Sequence, residues 1–245
     1  MPRMTQKDMQ TCTTNNGQFQ FSAVRPERLQ ASEYTLVDIV IDTTGSVWAY
    51  AAELLATLKT VVESCRCSPR ADNLMIRVTQ FSQTVSEIHG FKLLSMIDSK
   101  QYQALKPYGA TALYDATEDG ISSVLTYAKD LIDQDFDVNG IVFILTDGLD
   151  NASKLASPKS IAHQIKQAMQ AEQIESLQTI LVGVNDAECA QDLKQFKQKA
   201  KLSQYLSTGD ATASTLAKIA QFVSQSISLQ SQALGTGGPS QSLSF

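Results

Sequence analysis

The stretch Tyr34-Thr35-Leu36-Val37-Asp38-Ile39-Val40-Ile41, followed at once by Asp42-Thr43-Thr44-Gly45-Ser46, decides how the chain is read. Its β-branched run is that of a strand. Val47, Ala51, Leu54, Leu55, Leu58, Val61 and Val62 then fall on one helical stripe, so the strand feeds a helix and the polar segment sits at their junction.

Outward from this unit, Leu74 to Phe81 and Val85 to Phe91 read as strands separated only by Ser82-Gln83-Thr84. That gap is too short for a helix, so they form a hairpin and an antiparallel edge. Lys100 to Leu105 is a short helical piece stopped by Pro107 and Gly109. Thr111 then opens a longer helix with Leu113, Thr117, Gly120, Ile121, Val124, Ala128 and Leu131 on one face. Ile141 to Leu145, apolar throughout, suits a central parallel strand covered on both faces. Ser157-Pro158 are the N-cap and first residue of a helix through Ile161, Ile165 and Met169. Thr179 to Val184 and Gln204 to Leu206 are the last strands, and Asp210 caps a closing helix with Leu216, Ile219, Ala220, Val223 and Ile227 inward. The order predicts an α/β fold: a doubly wound, mostly parallel six-stranded sheet with one antiparallel edge strand and helices on both faces. Residues 1–16 read as a flexible arm, 17–234 as the domain and 235–245 as a flexible tail, while the alternation of Phe19, Phe21 and Val24 suits an early strand.

The 245 residues, 43% hydrophobic and 18% charged, describe an ordinary globular protein with one core. A net charge of -5 argues against nucleic acid and anionic membrane as partners, since both require a basic footprint. Met1-Pro2-Arg3-Met4-Thr5-Gln6 opens no apolar leader, and nothing approaches about 18 consecutive apolar residues. Cys12, Cys65, Cys67 and Cys189 are spaced for neither a disulfide framework nor a two-knuckle zinc site. Reduced thiols and a cytoplasmic location are therefore expected.

Three segments gather hydroxyls and carboxylates where a strand gives way to a loop or helix. They are Asp42-Thr43-Thr44-Gly45-Ser46, Gly109-Ala110-Thr111-Ala112-Leu113 and Leu145-Thr146-Asp147-Gly148. In an open α/β sheet such loops meet outside the carboxyl ends of the strands, where strand order reverses. Helix capping explains any one segment but not their convergence. An oxygen-only donor set suits a hard divalent cation, Mg²⁺ first with Mn²⁺ as the alternative, whereas zinc calls for Cys or His. Neutral hydroxyls bound directly, with the carboxylates mostly behind water, leave such an ion electron-poor and one position open to an outside acid.

The Asp-x-Thr-x-Ser segment, the later Thr111 and the Thr-Asp-Gly strand end resemble the metal-ion-dependent adhesion site of von Willebrand factor A domains, with coverage from about Tyr34 to Leu229. The resemblance implies a top-face Mg²⁺ that binds an Asp or Glu carboxylate of a protein partner. By position, Thr44 and Ser46 would be direct hydroxyl ligands, Thr111 the hydroxyl that joins or leaves the shell, and Asp42 and Asp147 the carboxylates. Thr44 departs from the Ser more common in the family, keeping the hydroxyl but adding a methyl and a stiffer χ1. The chain is most similar to intracellular bacterial members, which act as docking parts beside AAA+ ATPases, kinases or phosphatases. It is expected to be an interaction module rather than an enzyme.

Other readings compete. Asp42-Thr43-Thr44-Gly45 after an apolar strand also resembles the nucleophile loop of haloacid-dehalogenase-type phosphatases, with Asp42 accepting the phosphoryl group. That reading leaves Ser46 and Thr111 without a role and finds Ser214 where an acid is needed after Gly209-Asp210. Asp135-Phe136-Asp137-Val138-Asn139-Gly140 matches the first half of a calcium loop, but Thr146 stands where the bidentate Glu belongs, so it reads as a polar turn. Asp150-Asn151 reads as a rim contact or a turn. Trp48 either packs in the core or flanks the metal as a partner contact. His163 reads as solvated or capping. Leu243 and Phe245 alternate with Ser244 behind a glycine-rich spacer, which reads either as a frayed chain end or as an extended peptide recognised by a second protein.

Overall fold

The computed structural model describes residues 8–171, 173–238 and 243. Strands β1 (Met9–Thr13) and β2 (Gln20–Val24) precede β3 (Glu33–Asp42), a 3-10 turn (Gly45–Tyr50) and α1 (Ala51–Cys65). There follow β4 (Leu74–Phe81), β5 (Val85–Leu93), α2 (Leu113–Ile132), β6 (Asp137–Thr146), α3 (Pro158–Gln170), β7 (Leu177–Gly183), α4 (Ala190–Ala200), β8 (Gln204–Ser207) and α5 (Ala213–Thr236). Among the described residues one sheet holds all eight strands in the order β1-β2-β5-β4-β3-β6-β7-β8. From β4 to β8 the neighbours run parallel, as strand-helix alternation requires.

β3 is the centre because both of its faces are covered. No residue from Tyr34 to Asp42 is more than 3% exposed. Val37, Ile39 and Ile41 share a core with Leu54, Leu58 and Val61 of α1 and with Ile219, Val223 and Ile227 of α5. Leu36 and Val40 share the opposite core with Ile121, Val124 and Ala128 of α2. At roughly 1.5–3 kcal/mol for each large apolar side chain taken out of water, this strand is a principal anchor of the domain. Gly120 lets α2 come close, since a Cβ there would stand 3.1 Å from Val40 Cγ2. On the same face Arg77, buried in β4, donates to Asp38 (2.7 Å), Asp119 (2.9 Å) and Glu87 (3.1 Å), joining β3, β4, β5 and α2. Burial pushes the Asp38 carboxyl up to about 6 even though Arg77 opposes it.

The expected architecture needs correction at both ends. The sheet has two more strands than the six expected, and β5 is not its edge. β2 runs parallel to β5 at Ala23 and Phe91, and β1 pairs antiparallel with β2 from Met9↔Val24 to Thr13↔Gln20. Phe21 meets Phe91 edge-on at 5.9 Å. β1 lies inside the expected flexible arm; its five residues are only partly buried and too few for a period-two signal. Asn15 N donates to Thr126 Oγ1 at 3.1 Å, which ties the hairpin turn to α2. Residues 1–7 lie outside the described residues. Of Lys100 to Leu105, only part of a 3-10 turn (Ser99–Gln101) forms, and α2 starts at Leu113 rather than Thr111. α5 runs two residues past 234 and ends on Gly237, whose φ of 63° is the left-handed cap. In the expected flexible tail, Leu243 packs against the α1/α5 core and its carbonyl accepts from Gln204 Nε2 at 2.8 Å. Phe245 lies outside the described residues.

Candidate metal centre

The order of the strands places β4 on one side of β3 and β6 on the other, so the loops that follow β3 and β6 part and open a crevice at their carboxyl ends. Backbone bonds stitch the loop after β3, the end of β4 and the segment before α2 together. Thr43 N donates to Phe81 O (2.8 Å), Tyr108 N to Thr43 O (2.9 Å) and Ala112 N to Ser82 O (2.8 Å).

Four of the five predicted donors converge through contacts of their own polar atoms. Thr44 Oγ1 and Ser46 Oγ lie 3.0 Å apart, and Ser46 Oγ donates to Asp147 Oδ1 at 2.8 Å. Asp42 stands behind them: Oδ1 accepts from Thr44 N (2.8 Å) and Oδ2 from Thr146 Oγ1 (2.6 Å). Burial pushes the Asp42 carboxyl up to about 6; the bonds from Thr146 and Thr44 oppose the rise, and the charge of Asp147 adds to it. The fifth, Thr111, is 6% exposed and lies against Gly148, its Oγ1 3.8 Å from where a Cβ on that glycine would stand.

The loop after β6 and the start of α2 hold each other. Asn151 Oδ1 accepts from Thr111 N (2.7 Å), Asp150 Oδ1 from Tyr114 N (3.1 Å) and Ser153 Oγ from Asp115 N (2.9 Å). In return Asp115 accepts from the backbone of Lys154 (3.0 Å), Leu155 (3.0 Å) and Ala156 (2.8 Å). The free N–H groups of α2's first turn are thus capped from another segment. Asp115, Thr146 and Ser153 carry this support, and the sequence reading did not single them out. The cluster Asp150-Asn151-Ala152-Ser153 is rich in capping residues, but nothing local says which helix it caps. Tyr50 is a further addition. Its hydroxyl is buried, and burial followed by the charge of Asp147 pushes the phenol up.

Among the described residues, no group of three or more His, Cys, Asp or Glu side chains is placed to hold a metal ion. The donor set is therefore hydroxyls with two carboxylates, all hard oxygens, and it fits a hard divalent cation. The phosphatase reading would place its nucleophile on Asp42, which is 1% exposed and whose oxygens each already accept a hydrogen bond. The calcium-loop stretch enters β6 at Asp137, after Asp135 turns the chain with a φ of 64°.

The sequence matches no protein-family model and no curated protein. Solved structures do share the fold. The PilB minor pilin from Streptococcus sanguinis superposes with a TM-score of 0.59 at 17% identity, over 88% of this chain and 66% of that one, so this chain spans just under two thirds of the pilin. The vWF domain of the type V pili tip protein Mfa5 from Porphyromonas gingivalis gives 0.54 at 10% identity, over 88% and 99%. Proximal thread matrix protein 1 from the mussel byssus, with a zinc-occupied metal-ion-dependent adhesion site motif, gives 0.50 at 17% identity, over 82% and 46%. The fold is like that of von Willebrand factor A domains. The cytoplasmic location expected above does not stand, because the similar folds include a minor pilin and a pilus tip protein. That expectation rested on features missing from the chain, and a missing feature places no protein.

Proposed function

We propose that this chain is a protein-docking module whose top-face site holds a divalent cation, Mg²⁺ or Mn²⁺, and recognises an acidic side chain of a partner protein. The observation that carries the reading is the contact chain Thr44 Oγ1, Ser46 Oγ, Asp147 Oδ1, backed by a buried Asp42. A bound divalent ion supplies the positive charge that a carboxylate seeks. Thr44, Ser46 and Thr111 would offer neutral oxygens, Asp147 a charged one, and Asp42 would orient Thr44 and Thr146. The mussel protein's zinc-occupied motif supports a metal at this place in the fold. A non-catalytic role agrees with the burial of Asp42.

Calorimetric titration of metal-free protein tests the reading. One Mg²⁺ or Mn²⁺ equivalent is expected, lost in Asp42→Ala and Asp147→Ala while circular dichroism shows the fold retained. Undiminished binding in both variants overturns the site.

A further inference from the structure

We infer that the partner segment taken by this face is an acidic residue flanked by large apolar side chains, which settle on an aromatic and aliphatic rim built around the donors. The inference rests on the docking reading above and specifies its ligand.

Among the described residues the exposed large apolar side chains are Trp48 (77%), Tyr108 (59%), Leu149 (40%), Leu155 (53%) and Met169 (46%). All but Met169 lie on the loops that carry the donors. Trp48 is two residues beyond Ser46, Tyr108 three before Thr111 and Leu149 two beyond Asp147. Single exposed apolar residues are ordinary, whereas their concentration on one set of loops marks an interaction surface. The turn that carries Trp48 sends Val47 and Tyr50 inward, so the tryptophan is left outside while its neighbours fill the core. Two bonds hold the rim in place: Tyr108 N donates to the Thr43 carbonyl at 2.9 Å, and Leu155 N to the Asp115 carboxylate at 3.0 Å.

Beside Leu149 opens a cleft of about 220 Å³ lined by Leu113, Tyr114, Leu193 and Phe196, with the Tyr114 and Phe196 rings 4.8 Å apart. It takes one large apolar side chain. Asp150, Asp192 and Lys199 also line it. With Asp147 the carboxylates outnumber the single ammonium, so the flanks stay net negative and disfavour further acids away from the cation. The complementary segment therefore has one acid at its centre and uncharged, apolar neighbours.

The test is selection of a random displayed-peptide library on the whole chain in Mg²⁺, followed by fluorescence titration of the selected synthetic peptides, since Trp48 is the only tryptophan and reports directly. The expected peptides carry Asp or Glu between aromatic or aliphatic residues, are released by EDTA, and shift Trp48 emission. Leu149→Ser, read by Trp48 emission, and Trp48→Ser, read by polarisation of a dye-labelled peptide, should each weaken them by about tenfold or more, with Mg²⁺ titration of the same variants reading the ion site separately. Acidic peptides with polar flanks would overturn the rim and leave the metal reading intact. Peptides without an acid, indifferent to EDTA, would overturn both. No enrichment at all would overturn the rim, and Mg²⁺ titration alone would then decide the metal reading.

Discussion

Asp115→Ala should loosen the metal face without touching a donor. Asp115 is 8% exposed and gathers three backbone N–H groups of the loop after β6, at 3.0, 3.0 and 2.8 Å. A hydrogen bond to a charged acceptor contributes about 1.5–3 kcal/mol net, but Lys154 and Leu155 are exposed and their freed N–H groups rehydrate. The loss should therefore total about 2–4 kcal/mol in urea unfolding rather than the full sum. The Asp115→Asn variant keeps one carbonyl oxygen for Leu155 and Ala156 while turning an amide N–H toward Lys154 N, so it should lose roughly half as much. The loop that Asp115 holds also carries Asp147, so Mg²⁺ affinity in calorimetric titration should fall by about tenfold in Asp115→Ala, because binding must then order the loop as well. An unfolding free energy within about 0.5 kcal/mol of the parent, with unchanged Mg²⁺ affinity, would refute the reasoning.

Ser46→Ala and Thr111→Ala should weaken Mg²⁺ binding less than Asp147→Ala, because water replaces a neutral hydroxyl but not a carboxylate; calorimetry ranks the three. A native partner recovered on the immobilised chain in Mg²⁺ should be released by EDTA, and equal retention in both would contradict a carboxylate held through the ion. Gly90→Ala would put a Cβ 1.9 Å from the Ser22 carbonyl oxygen and should lower the melting temperature by forcing β2 off β5, at a cost of about 1–3 kcal/mol or more. Asp38 titrates near 6 in the folded chain against an ordinary 3.8, so its protonated form favours folding, and this contribution is lost as pH rises from about 4 through 6. Asp38→Asn should flatten the stability profile across that window by on the order of 3 kcal/mol, read by urea unfolding at each pH.

What was legible in the sequence was local. β3 and β6 are apolar runs covered on both faces, and Ser157 with Ser160 forms the capping box that starts α3 where Ser157-Pro158 predicted it. The loops of the candidate site were legible as polar clusters for the same reason, since each is a short hydroxyl or carboxylate group at a strand end. β1 was not, because a five-residue strand with a half-buried face draws its stability from the register with β2 and from Thr126 on a distant helix. The supports of the site were hidden by distance along the chain: Asp115 meets its loop 39 to 41 residues away, and Thr146 meets Asp42 across 104.

α2 shows why that distance matters for function. Its apolar stripe was correct, but an amphipathic helix would leave the opposite face in water, and here Asp115, Glu118, Asp119, Ser122, Ser123 and Thr126 are buried too. Each polar side chain needs a partner to be buried without penalty, and several find it on a different element. Glu118 accepts from Asn16 Nδ2 (3.2 Å) and Ser160 Oγ (2.6 Å), Asp119 from Arg77, and Ser122 from Gln164 Nε2 (2.5 Å). The helix that follows Thr111 is therefore pinned to the β1/β2 turn, to β4, to α3 and to the loop bearing Asp147. Thr111, two residues before such a helix, is thereby held in position, so under the proposed role little ordering would remain to be done when an ion binds.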